Sequence, residues 1–164
     1  MRKILHYLLL TALALCFFSP ASTTTVQTAC VVPSPKETVQ LENGDYLETV
    51  IVDVPTISSG ISTFSTTKTV TKTKTTSYKN INGVTLWSIS IRASFTYNGS
   101  TSRCISYSHS TTCPAQTWRI KSVSTSKSGN SATAVATATH FNGNLSNDYT
   151  RSVTIYCSSK GTVL

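Results

Sequence analysis

Gly83-Val-Thr-Leu-Trp87-Ser-Ile-Ser-Ile91-Arg-Ala-Ser-Phe95-Thr-Tyr97, then Asn98-Gly99, then Ser-Thr-Ser-Arg103-Cys104-Ile-Ser-Tyr107 decides the fold. Trp87, Ile89, Ile91, Ala93, Phe95 and Tyr97 occupy every second position, which places them on one face of a strand. Ser88, Ser90, Arg92, Ser94 and Thr96 take the other face. The larger, apolar face is the one to bury. Asn98-Gly99 predicts a tight type I′ turn with two positive-φ residues, so the chain folds back as a hairpin.

Outward from this hairpin the same grammar recurs. Ala132, Ala134, Ala136 and Ala138 alternate with Thr133, Val135, Thr137 and Thr139, giving one uniformly small face able to lie close to a neighbouring layer. Tyr149, Val153, Ile155 and Cys157 share a face further on, and Trp118 and Ile120 alternate with Arg119 and Lys121. Asn82-Gly83, Ser128-Gly129-Asn130 and Asn142-Gly143-Asn144 punctuate these runs as turns. Asn43-Gly44-Asp45 marks an earlier hairpin. Residues 61–78, rich in Thr, Ser and Lys, read as a solvated edge strand, with a disordered linker as the competing reading. The expected fold is all-β: an antiparallel β-sandwich, immunoglobulin-like in outline.

The amino terminus speaks to the compartment. Arg2-Lys3, an apolar run from Ile4 to Phe18, and Ser19-Pro20-Ala21 have the order of a secretory signal peptide, with cleavage expected after Ala21. The run is shorter than the roughly 20 residues that span a bilayer. Leu15 before Cys16 argues against lipidation. The expected organisation is a signal peptide over residues 1–21, an acidic arm with a short hairpin over 22–60, and a basic β-sandwich over 61–164. Charge sets the last two apart. Residues 22–60 hold one lysine against five acids, whereas 61–164 hold eleven Lys and Arg against Asp148 alone.

Four cysteines follow the expected cleavage site: Cys30, Cys104, Cys113 and Cys157. An even count in an exported chain predicts two disulfides, and sequence leaves three pairings open. Loop-closure entropy is worth about 4 kcal/mol for joining Cys104 to Cys157 and about 2.5 kcal/mol for Cys104 to Cys113. Cys104 with Cys157, and Cys30 with Cys113, is the expected arrangement, because Cys104 and Cys157 each sit inside a strand pattern.

Leu41-Glu42-Asn43-Gly44-Asp45-Tyr46, Leu86-Trp87-Ser88, Phe95-Thr96-Tyr97-Asn98-Gly99 with Cys104 five residues on, Ser126-Lys127-Ser128-Gly129-Asn130 and Thr154-Ile155-Tyr156-Cys157-Ser158 together resemble a group of small secreted proteins of Gram-positive bacteria. The similarity runs from Leu41 to the end. It implies an exported β-rich domain with a link between the positions of Cys104 and Cys157, and it implies no activity. Cys30 and Cys113 depart from that pattern.

Catalytic chemistry finds little to work with. A general acid and base need two facing carboxylates, and the basic body owns only Asp148. His109 or His140 with Asp148 and a serine make a triad on paper, but no Gly-x-Ser-x-Gly elbow marks a nucleophile. Cys104, His109 and Cys113 have metal-like spacings yet lack a fourth ligand. No catalytic residue, metal or cofactor is therefore expected, and the chain reads as a non-enzyme. Trp87, Trp118, Phe95 and Tyr97 are better core than sugar platform.

The basic surface is the nearest thing to a functional feature. Lys68, Lys72, Lys74, Arg92, Arg119 and Lys121 are the expected polyanion-binding residues, facing solvent together with Lys79, Arg103, Lys127 and Arg151. The expected partners are anionic cell-envelope polymers or another protein, without sequence-specific nucleic-acid recognition and without a transmembrane segment in the mature chain. Two functions follow from the sequence. One is a secreted, extracellular binding or surface-associated module. The alternative is a secreted effector, an inhibitor or toxin against competing bacteria or their hydrolases. A regulatory variant has the acidic segment from Glu37 to Asp53 cover the basic face.

Overall fold

In the computed structural model, residues 36–54 and 66–164 are described below. The expected signal peptide, Cys30 and the rest of residues 1–35 lie outside them, as does the segment 55–65.

Eight antiparallel strands form two sheets, with no helix among the described residues. Sheet A contains β1 (Lys36–Gln40), β2 (Tyr46–Asp53), β3 (Lys68–Lys79), β4 (Thr85–Tyr97) and β5 (Ser102–Thr112), side by side in that order. Sheet B contains β6 (Trp118–Ser128), β7 (Ser131–Asn142) and β8 (Leu145–Tyr156), also in order. Both sheets are meanders. The Greek-key crossing of an immunoglobulin-like sandwich is not formed, because every described strand pairs with its neighbour in sequence.

The core follows the alternation. Trp87, Ile89, Ile91, Ala93 and Phe95 of β4 are buried, and Ala132, Ala134, Ala136 and Ala138 of β7 meet them from the other layer with Val153 and Ile155 of β8 and Cys157 just beyond it. Small side chains on β7 let the two central strands approach closely, as the alanine run predicts. Sheet B packs on β3, β4 and β5. The hairpin of β1 and β2 therefore extends sheet A beyond this cover, and all of β1 is exposed.

The lysine-rich strand is not at an edge. β3 lies at the centre of sheet A, paired along its length with β2 and β4. Its odd-numbered hydroxyls face outward, where Thr71 bonds Ser94 (2.8 Å) and Thr75 bonds Ser90 (2.7 Å), while Ser88 bonds Thr112 (2.8 Å). Thr71 and Thr75 thus find cross-strand partners on β4, so a strand with few apolar residues still pairs on both sides. Its even-numbered face points inward with buried Thr76 and Tyr78.

The central hairpin also turns differently from expectation. Gly99 has φ 92°, but no non-glycine residue has positive φ among the described residues, so a type I′ turn is not formed. Asn98 Oδ1 accepts from the N–H groups of Ser100 (3.1 Å) and Thr101 (2.9 Å), and Asn98 N–H donates to Thr101 O. The side chain closes a longer loop that needs only one left-handed residue.

Candidate functional site

Strand direction sorts the molecule into two ends. Turns 98–101, 129–130 and 158–162 gather at one end, tied together where Gly99 N–H donates to Ser159 O (2.9 Å) and Cys104 N–H to Gly129 O (2.9 Å). Turns 41–45, 80–84 and 143–144 lie at the other, with loop 113–117.

The six expected polyanion-binding residues do not make one surface. Arg92 is exposed on the outer face of sheet A, beside Thr73 and Ser108. Arg119 pairs with Thr139 on the outer face of sheet B, on the opposite side of the sandwich. Lys121 shares that side and is engaged by Asp148, which also accepts from Thr139. Lys72 and Lys74 point inward, on the same face as Tyr78. They are tolerated because sheet B stops short of β2: Lys72 reaches Asp53 (3.0 Å), and Lys74 lines an open cleft of about 310 Å³ with Ile51, Tyr156 and Leu164. Arg151 also turns inward, its guanidinium 5.6 Å from the centre of the Tyr78 ring.

Lys68 alone of the six sits where cations converge. It lines a cavity of about 320 Å³ with Lys160, Thr66, Tyr97, Asn98 and Gly99. A second cavity of about 240 Å³ holds Arg103 with Thr101 and Ser102, and shares Tyr97 and Asn98 with the first. Lys127 completes this end, donating to Ile105 O (3.4 Å) and lying 5.9 Å over the Tyr107 ring. Lys68, Arg103, Lys127 and Lys160 make no ion pair among the described residues, whereas Lys36, Lys72, Lys79 and Lys121 each do. Unpaired, exposed cations at one end sum to a positive field there. Lys160 escaped sequence reasoning because turn 158–162 reaches the site by folding back on Tyr97. Gly161 (φ 87°) permits that approach, since a Cβ there would stand 2.4 Å from the ring.

The acidic segment does not cover this end. Its strands are spent on building sheet A, where Glu48 bonds both Lys36 (2.5 Å) and Lys79 (2.7 Å). Those two hydrogen bonds, Lys36 first, hold the Glu48 carboxyl below its usual range against the opposing effect of burial.

Trp87, Phe95 and Trp118 form core rather than a platform, whereas Tyr97 is partly buried and lines the two cavities. Tyr78 stacks on Trp87 (6.1 Å) and meets Trp118 (5.3 Å) and Tyr149 (5.8 Å), while His140 stacks on Trp118 (4.6 Å). Asp148 is committed to Lys121 and Thr139, and no hydrogen bond joins it to His109 or His140 among the described residues. Among those residues no group of three His, Cys, Asp or Glu side chains gathers to hold a metal.

Cys104, Cys113 and Cys157 are free thiols in the structure, so the expected Cys104–Cys157 bond is not formed there. Cys104 Sγ turns to Ser106 O (3.5 Å) and Cys157 Sγ to Ser158 O (3.3 Å). Burial pushes all three thiols up, with Lys127 pulling Cys104 partly back. Geometry separates them nonetheless. Cys113 follows the far end of β5, nine residues of extended strand from Cys104, or about 30 Å at 3.3 Å per residue. A disulfide tolerates roughly 4.4 to 6.8 Å between Cα atoms, so Cys113 reaches neither Cys104 nor Cys157 at the opposite end.

No protein family matches the chain, and neither a curated protein nor a solved structure matches it.

Proposed function

We propose that this chain is an exported, non-enzymatic module that holds anionic envelope polymers against the basic end formed by Lys68, Arg103, Lys127 and Lys160. Secretion rests on the signal-like order of residues 1–21, and the commitment of Asp148 to Lys121 and Thr139 supports binding over turnover. The single observation that carries the reading is the pair of adjoining cavities at turn 98–101, one lined by Lys68 and Lys160 and the other by Arg103, none of which has an ion-pair partner among the described residues. A salt-screened field attracts a polyanion of many chemistries without requiring a motif. A Cys104–Cys157 link, formed on export, would brace this end by joining β5 of sheet A to the end of β8 in sheet B.

Retention on an anionic polymer measured against salt tests the proposal. Each cation near an anionic surface is worth about 1 kcal/mol, so replacing Lys68, Arg103 and Lys160 with alanine should weaken binding roughly 100-fold. Arg92→Ala and Lys121→Ala together should change it little. Binding that ignores salt, or that depends on Arg92 and Lys121 instead, would remove the reading.

A further inference from the structure

Among the described residues four strands form the edges of the two sheets, and three of them are guarded. β1 is five residues long and carries Lys36 and Glu37. β6 carries Arg119, Lys121 and Lys127, and its register is broken between Ile120 and Ser122. β8 carries Asp148 and Arg151, and the chain beyond it is engaged where Cys157 pairs with Val163. Short length, charge and irregularity are the usual means of keeping an edge unpaired.

β5 lacks these guards over most of its length. Its first residues are closed off: Cys104 N–H is taken by Gly129 O, Ile105 O by Lys127, and the β4–β5 register shifts at Ile105. From Ser106 to Thr112 the strand is regular, contains no Lys, Arg, Asp, Glu, Pro or Gly, and borders no further strand among the described residues. Ile105 to Ser110 are six consecutive exposed residues, with Tyr107 37% exposed on the face that would otherwise be covered.

We infer that this edge pairs with its own copy, joining two chains through antiparallel β5 strands into one continuous sheet. The register argues for a second copy over an unrelated strand. A two-fold axis at His109 sets Ser106 opposite Thr112 and Ser108 opposite Ser110, so both outer pairs are hydroxyl on hydroxyl. These continue rows already running across the sheet: Thr71, Ser94 and Ser106; Thr75, Ser90 and Ser110; Ser77, Ser88 and Thr112. On the inner face Tyr107 meets Thr111. His109 faces its own copy on the axis, and no Lys, Arg, Asp or Glu enters any pair from Ser106 to Thr112. The antiparallel arrangement directs the two basic ends away from each other.

Sedimentation of the full chain across a dilution series tests this, with circular dichroism to check folding. The expected result is a mass that rises from one chain to two with concentration. Ser108→Lys with Ser110→Lys sets ammonium groups opposite each other in two pairs and should weaken association about tenfold or more. An equal mixture of that variant with Ser108→Glu/Ser110→Glu should restore the two-chain mass, because opposite charges then face each other. A single-chain mass at every concentration, or a two-chain mass insensitive to both substitutions and their mixture, would overturn the inference.

Discussion

Cys104 and Cys157 donate their backbone N–H groups to consecutive carbonyls, those of Gly129 (2.9 Å) and Asn130 (3.0 Å), so one two-residue turn spaces a strand of sheet A from the end of β8. Asn130 Nδ2 and Ser102 Oγ both donate to Cys157 O, fixing the second cysteine further. On oxidation these two thiols should join, and peptide mapping of the oxidised chain should find Cys104 linked to Cys157. Entropy alone assigns such a loop about 4 kcal/mol, so reduction should lower the melting temperature markedly. A map joining Cys113 to Cys104 would show the strand order to be wrong.

Gly161→Ala should be costly although the residue lies in a surface turn. The new Cβ would fall 2.4 Å from the Tyr97 ring at a backbone φ of 87° that favours glycine. Overpacking and backbone strain together predict about 1–3 kcal/mol lost in denaturant unfolding. Polyanion binding should fall with it, because Lys160 is adjacent. Unchanged stability would mean that turn 158–162 does not rest on Tyr97.

The alanine face of β7 makes a second packing prediction. Ala136 is fully buried between the layers, so Ala136→Leu must push the sheets apart or distort them, at a cost of about 1–3 kcal/mol. Val135→Leu, on the outward face of the same strand, should cost far less. Equal costs in thermal melts would contradict the assigned faces.

Acid should loosen the β1–β2 hairpin first. Lys36 and Lys79 hold Glu48 below its usual range, so its folded pKa lies under the unfolded value of about 4.3. That contribution is complete above the unfolded value and is lost as pH falls through the folded one. Hydrogen exchange in residues 36–53 should therefore accelerate in acid before it does in β4 and β7. Glu48→Gln should make that exchange fast already at neutral pH and flatten its pH dependence; an acid response unaltered by Glu48→Gln would refute the assignment.

Much of the architecture is written locally. The alternation from Trp87 to Tyr97, the alanines of β7 and the glycine turns each concern neighbours a few residues apart, so period and turn chemistry are enough to assign these strands, their buried faces and the all-β class. What the alternation could not supply was the company each strand keeps. The lysines of β3 suggest an edge, yet β3 is central: Thr71 and Thr75 pair across to β4, and its inward lysines lie where sheet B ends. Side-chain parity tells which face a cation takes, but the order of strands decides whether that face is sealed, open or turned away from the next cation. Thus Arg92 and Arg119 share an outward parity and stand on opposite sides of the sandwich. Lys68, Arg103, Lys127 and Lys160, scattered over 93 residues, meet at one end because three separate turns close there.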